Sequence, residues 1–157
     1  MNVGLRIHYY GMHFPWSVTM FLSAKAEYAC LAMLELAFQY GRNTPIRLKE
    51  ISEKHGIPQR FLVQILLQLK GSGLVSSTRG AAGGYQLSRR PDQISLNDIL
   101  DSVDPPNVAE DRGIFPSVLS STLQAVWKSL NSARKTILRD ATLNELLPRD
   151  NGADFVI

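Results

Sequence analysis

Five residues within one short stretch have the chemistry to read nucleic acid: Gln59, Arg60, Val63, Gln64 and Lys70. An arginine fork can bond both acceptors of a guanine, and a glutamine can bond both edge groups of an adenine. A valine can touch a thymine methyl but cannot accept a hydrogen bond from cytosine. Lys70 offers a point charge suited to a phosphate. Just beyond it, Arg79 heads a run of small residues, Gly80-Ala81-Ala82-Gly83-Gly84, closed by Tyr85. Such a run can approach a sugar-phosphate backbone closely while its arginine enters a minor groove and reads width and potential there.

No comparable constellation serves catalysis. The chain has no Ser/His/Asp set, no metal-ligand spacing, and no phosphate-binding glycine motif between a strand and a helix. His8 and His13 lack acids or cysteines nearby. The single cysteine, Cys30, falls on an apolar helical face, where a thiol acts as a small hydrophobe. One cysteine also excludes a disulfide framework within the chain and fits a reducing cytoplasm. The sequence is read as a non-enzyme with no cofactor and no metal site.

Holding the five readers on one surface requires a helix with a buried opposite side. Leu62, Ile65, Leu66 and Leu69 supply that stripe at i, i+3, i+4 and i+7. Before it, Leu48 to His55 is a short helical pattern with Leu48 and Ile51 inward; Gly56 breaks it, and Ile57-Pro58 lead into the second helix. Two helices joined by a tight glycine turn form a helix-turn-helix, whose second helix can enter a major groove. Leu67 interrupts its polar side, and the sequence offers no account of it. Gly71 and Gly73 end the helix, Leu74-Val75 begins a strand, and Tyr85-Gln86-Leu87 returns. A hairpin in that place is a wing, with Arg79 at its tip.

Flanking elements complete the pattern. Ser23 is a good N-cap for a helix to about Tyr40, with an apolar stripe of Ala26, Cys30, Met33, Leu34 and Ala37. Ser95 to Asp98 resembles a capping box, Ile94 and Ile99 form a staple across it, and that helix ends near Val103. After a loop at 104–116, a long helix spans Ser117 to Asp140. Leu119, Leu123, Val126, Leu130, Ala133 and Ile137 form a heptad seam along it, widened by Trp127 and Leu138. A small winged domain offers such a seam little to pack on, so a homodimer is expected. Thr142 to Glu145 gives another capping box, and Pro148 stops the last short helix. The fold class is mainly α with a small β-hairpin. A winged helix-turn-helix domain covers 20–103, the loop 104–116, dimerisation and terminal helices 117–147, and a tail 148–157.

Arg79 to Leu87, RGAAGGYQL, after a helix-turn-helix, with MFLSAKAEYACLAMLELA upstream, resembles the Rrf-two family of bacterial winged-helix regulators. The likeness runs from about Met20 to Leu147. That family includes the iron–sulfur cluster regulator, the nitric-oxide-sensing repressor and the cysteine-metabolism repressor. The resemblance implies a homodimeric, sequence-specific regulator of transcription that binds double-stranded DNA and acts as a repressor. It also implies phosphate contacts from Lys25 and Tyr28, and a wing formed by Arg79, Gly83, Gly84 and Tyr85 against the DNA. In cluster-binding relatives the loop corresponding to 104–116 carries three cysteines, because such clusters require thiolates. Here it reads DPPNVAEDRGIFP, and Gln124 stands where some relatives supply a histidine. The chain therefore resembles the members without cluster ligands. It also has Val63 where many relatives carry a base-reading glutamate, and Arg60 in place of a smaller polar residue, so its operator is its own.

Charge and composition agree. A chain of 157 residues, 45% hydrophobic, suits one small body with a real core. The net charge of +3 is unevenly placed: residues 42–90 hold nine Lys/Arg against two acids, and residues 91–157 hold six against ten. A basic half built around the helix-turn-helix is the footprint of a phosphate-binding surface. No apolar run approaches the roughly 18 residues of a membrane span, and the start lacks a secretion signal's apolar core, so a cytoplasmic protein without a membrane partner is expected. Residues 1–19, aromatic-rich and aperiodic, are read as an extension that is either a tail or lies before the native start at Met20. The alternative function is a winged-helix adaptor for protein contacts without specific DNA binding, which the basic segment and Arg79 disfavour. An effector, small molecule or protein, is left unspecified.

Overall fold

A computed structural model of the chain describes residues 22–42, 44–105 and 117–148. Six helices and one hairpin follow in order: α1 (Ala24–Phe38), α2 (Leu48–His55), α3 (Gln59–Gly71), β1 (Val75–Thr78), β2 (Gly84–Leu87), α4 (Leu96–Val103), α5 (Val118–Asp140) and α6 (Leu143–Leu146). The short 3-10 turn Pro91–Gln93 joins β2 to α4. The expected extension at 1–19, most of the loop at 104–116 and nearly all of the tail lie outside the described residues.

Ser23 caps α1 as its position implies, accepting from the Ala26 amide at 3.1 Å. The same hydroxyl donates to Asp104 Oδ2 at 2.7 Å, which ties the start of α1 to the end of α4. The helix stops at Phe38, short of Tyr40, and its buried side differs from the expected stripe. Ala26, Ala29, Ala32, Met33, Leu36 and Ala37 are buried, whereas Cys30 and Leu34 are only half-buried. Alanines permit close approach of the neighbouring helices, so the contact follows small residues rather than bulky ones. Glu35 is buried on this side too, and its carboxylate takes hydrogen bonds from Gln39 at 2.6 Å and Lys54 at 2.9 Å and lies 3.0 Å from His55 Nε2. That network joins α1 to the end of α2.

The core is continuous across these elements. Met33 and Leu36 of α1 share one buried cluster with Ile51, Ile57, the α3 stripe, Leu74, Val75 and Leu87 of the hairpin, Ile94, Ile99 and Val103 around α4, and Leu143 of α6. Capping boxes open α4 at Ser95 with Asp98 and α6 at Thr142 with Glu145, and a third opens α5 at Ser117 with Ser120. At its far end α5 returns to the body. Leu96 N donates to Ala141 O and Leu143 N to Ile94 O, both at 2.9 Å. Yet no residue of α5 itself is buried. Leu119 is 82% and Ile137 69% exposed, and Leu123, Val126, Trp127 and Leu130 are each more than half exposed.

Candidate nucleic-acid interface

The turn between α2 and α3 is fixed from within. Gly56 takes the left-handed conformation at φ 63°, where a Cβ would be strained. Ser52, buried, donates its hydroxyl to Ile57 O at 2.7 Å, and Ile57 N donates to Ser52 O at 3.0 Å. Ile57 then enters the core, and α3 starts after Pro58 at an angle set by those bonds.

With Leu62, Ile65, Leu66 and Leu69 buried, the opposite side of α3 is presented to solvent. Its centre is Arg60, Gln64, Leu67 and Gly71, all exposed, spread over about 60° of the helix circumference. Gln59 (exposed), Val63 (half-buried) and Lys70 (exposed) form one flank, and Phe61 and Gln68 (both exposed) form the other. The Arg60 guanidinium lies over the Phe61 ring, 4.9 Å from its centroid, which holds the fork near the helix surface. Lys70 donates to Ser77 Oγ of β1 at 2.6 Å, so it also ties α3 to the wing.

The hairpin pairs Val75 with Leu87, Ser76 with Gln86, Ser77 with Tyr85 and Thr78 with Gly84. Its turn leaves Arg79 exposed at the tip. Ile46, just before α2, adds a third line of pairing: Ile46 N donates to Tyr85 O at 2.9 Å and Tyr85 N to Ile46 O at 2.8 Å. Gly84 lies against that segment so closely that a Cβ would sit 2.5 Å from Ile46 O. A Cβ on Gly83 would run into the backbone oxygen of Thr78. The two glycines are thus demanded by the wing's own packing, whatever the DNA adds. The Tyr85 side chain is half-buried against the core rather than presented at the tip. Of the two residues expected near phosphates on α1, Tyr28 packs half-buried on the core and Lys25 is half-exposed in the first turn.

Arg47 has no motif to mark it. Its guanidinium donates to Ala81 O at 2.8 Å, pinning the wing tip from a position 34 residues upstream. Only the basic character of the segment hinted at it.

Cys30 does not suit a metal centre. Burial, and then the Glu27 charge, push its thiol up to about 11, so it is protonated near neutral pH, whereas cluster ligands are thiolates. Among the described residues no group of three or more His, Cys, Asp or Glu could hold a metal ion. With one cysteine in the chain, the donor set does not fit an iron–sulfur cluster. Among the described residues no helix is long and apolar enough to cross a membrane.

An exposed, polar and basic helix presented by a helix-turn-helix, with an arginine-tipped wing beside it, defines a winged helix-turn-helix DNA-binding regulator of transcription. The family model for Rrf2, described as an iron-dependent transcriptional regulator, matches residues 22–149. The chain is 33% identical to the HTH-type transcriptional regulator IscR of Vibrio atlanticus over 135 residues, 84% of this chain and 77% of that protein. It is 32% identical to CymR of Bacillus subtilis over 137 residues, 85% of this chain and 94% of that protein. The solved structure of CymR, the global cysteine regulator of B. subtilis, matches with a TM-score of 0.69 at 31% identity, covering 80% of this chain and 94% of that one. The T. potens IscR structure matches with a TM-score of 0.67 at 31% identity, covering 82% and 87%. The chain belongs to the Rrf2 family.

Proposed function

We propose that this regulator works as a homodimeric repressor that needs no iron–sulfur cluster and acts in the cytoplasm by binding, not by catalysis. Two copies of α3 enter successive major grooves, and each wing places Arg79 in the neighbouring minor groove. Arg60 and Gln64 read base edges, with Gln59 and Val63 beside them, while Lys25, Tyr28 and Lys70 position the backbone. Residues 20–103 form the reading domain, and 117–147 join the two copies through 104–116.

The observation that carries the assembly is α5. It is 23 residues long, capped at its start and tethered at its end, yet none of its residues is buried. Leu119, Leu123, Val126, Trp127, Leu130, Ala133 and Ile137 are exposed along it. Burying each large aliphatic one against a second copy is worth about 1.5–3 kcal/mol. A two-fold dimer then reads an inverted repeat whose half-sites lie a whole number of helical turns apart.

Binding-site selection followed by sequencing tests this reading. The enriched sites should be inverted repeats, and transcription from a promoter overlapping such a site should fall when the protein is added. Enrichment of single unpaired half-sites would overturn the dimer, and a rise in transcription would overturn the repressor.

A further inference from the structure

Leu67 is 53% exposed at the centre of the outward side of α3, where no part of the core reaches it. Val63 lies four residues before it, so the two side chains are neighbours along one ridge. Arg60 and Gln64 make the adjacent ridge at the same spacing. The surface is therefore two polar readers set directly beside two aliphatic ones. Lys70 and Arg60 give this surface the positive sign that a phosphate-lined groove attracts. Inside a major groove the pattern of donors and acceptors has one apolar member, the C5 methyl of thymine.

We infer that the Val63–Leu67 ridge reads thymine methyls, with Leu67 as a specificity-determining residue. The inference rests on α3 being the recognition helix. It requires thymines beside the base pairs bonded by Arg60 and Gln64, on the side that the ridge faces. Leu67 adds no hydrogen bond there; it rewards one methyl group and leaves the other bases unrewarded.

Deoxyuridine in place of thymine removes that methyl and nothing else. On the selected operator, one such replacement in each half-site should weaken the wild type by about fourfold per half-site, the factor for one buried methyl. Leu67→Ala should bind the all-thymine operator more weakly and should be insensitive to that same replacement. Leu67→Met, which keeps an aliphatic reach, should retain part of the sensitivity. Because Leu67 is exposed, both variants should melt at the wild-type temperature and remain dimers by light scattering. If no deoxyuridine position matters, or if Leu67→Ala keeps the full penalty, the inference is wrong. Loss of the dimer in Leu67→Ala would place Leu67 in a subunit contact and likewise overturn it. A wild type that selects no sequence at all would instead remove the DNA-reading assignment beneath it.

Discussion

Replacing Gly84 by alanine probes the contact on which the wing depends. The added methyl would lie 2.5 Å from Ile46 O, 2.7 Å from Ile46 C and 3.0 Å from Pro45 C. All three are backbone atoms, so no side-chain rotation relieves the clash, and β2 must move away from the Pro45–Ile46 segment. The first loss is the pair of Ile46–Tyr85 hydrogen bonds, at a net cost of roughly 0.5–1.5 kcal/mol each. Ile46, 4% exposed, then loses part of its burial, where a full side chain is worth about 1.5–3 kcal/mol. Together these put Gly84→Ala at about 2–5 kcal/mol of destabilisation. Gly71→Ala is the matched control, since nothing lies within 4 Å of a Cβ there and the residue is helical. That change should stabilise by roughly 0.5–1 kcal/mol. Urea unfolding followed by circular dichroism measures both, and hydrogen exchange at the Tyr85 amide reports the bridge directly. A Gly84→Ala protein within about 0.5 kcal/mol of wild type, with that amide still protected, would refute the close-approach argument.

Leu130→Glu puts a charge in the middle of the α5 seam and should yield monomers by light scattering at micromolar concentration; a dimer as tight as wild type would remove α5 from the interface. Burial raises the Glu35 carboxyl, but hydrogen bonds from Lys54, Gln39 and His55 outweigh it and hold the group below its ordinary 4.5. Its stabilising contribution is thus present above that value and lost as pH falls through the lower folded value. Glu35→Gln should cost about 1–3 kcal/mol at neutral pH and progressively less in acid, whereas a gap unchanged with pH would contradict the argument. Arg60→Ala should cost about 1–3 kcal/mol at one base pair, and Arg79→Ala should weaken binding and flatten preference only at A·T-rich flanks. Equal weakening of every sequence by Arg60→Ala, measured on single-base variants, would reduce α3 to a backbone clamp.

What was legible in the sequence is what sits within one turn of the chain. The stripe from Leu62 to Leu69 and the boxes at Ser95 and Thr142 depend on residues three or four apart, so period and capping chemistry reveal them. The box at Ser117 carries serine rather than an acid three residues on, and so gave no such signal. The inward side of α1 lies away from Cys30 and Leu34 because four buried alanines share it with Met33 and Leu36, and an alanine's burial depends on which helices approach and not on its own bulk. Arg79 and the glycines marked a wing, but the reason for Gly84 lies in Ile46, and the reason for Arg47 lies in Ala81.

Those long-range contacts bear on function more than the local ones. The Ile46–Tyr85 bridge, the Arg47–Ala81 bond and the Lys70–Ser77 bond link the approach to α2, the wing and α3 to one another. Each crosses between elements, and none belongs to a recognisable motif. Their joint effect is to set the position of Arg79 relative to Arg60, Gln64 and Leu67 before DNA is met. In the proposed reading, ordering costs little at binding, and the offset between minor-groove and major-groove contacts is a property of the folded protomer. In the proposed dimer the spacing of two such protomers is a separate matter, set along α5, none of whose residues is buried in its own domain.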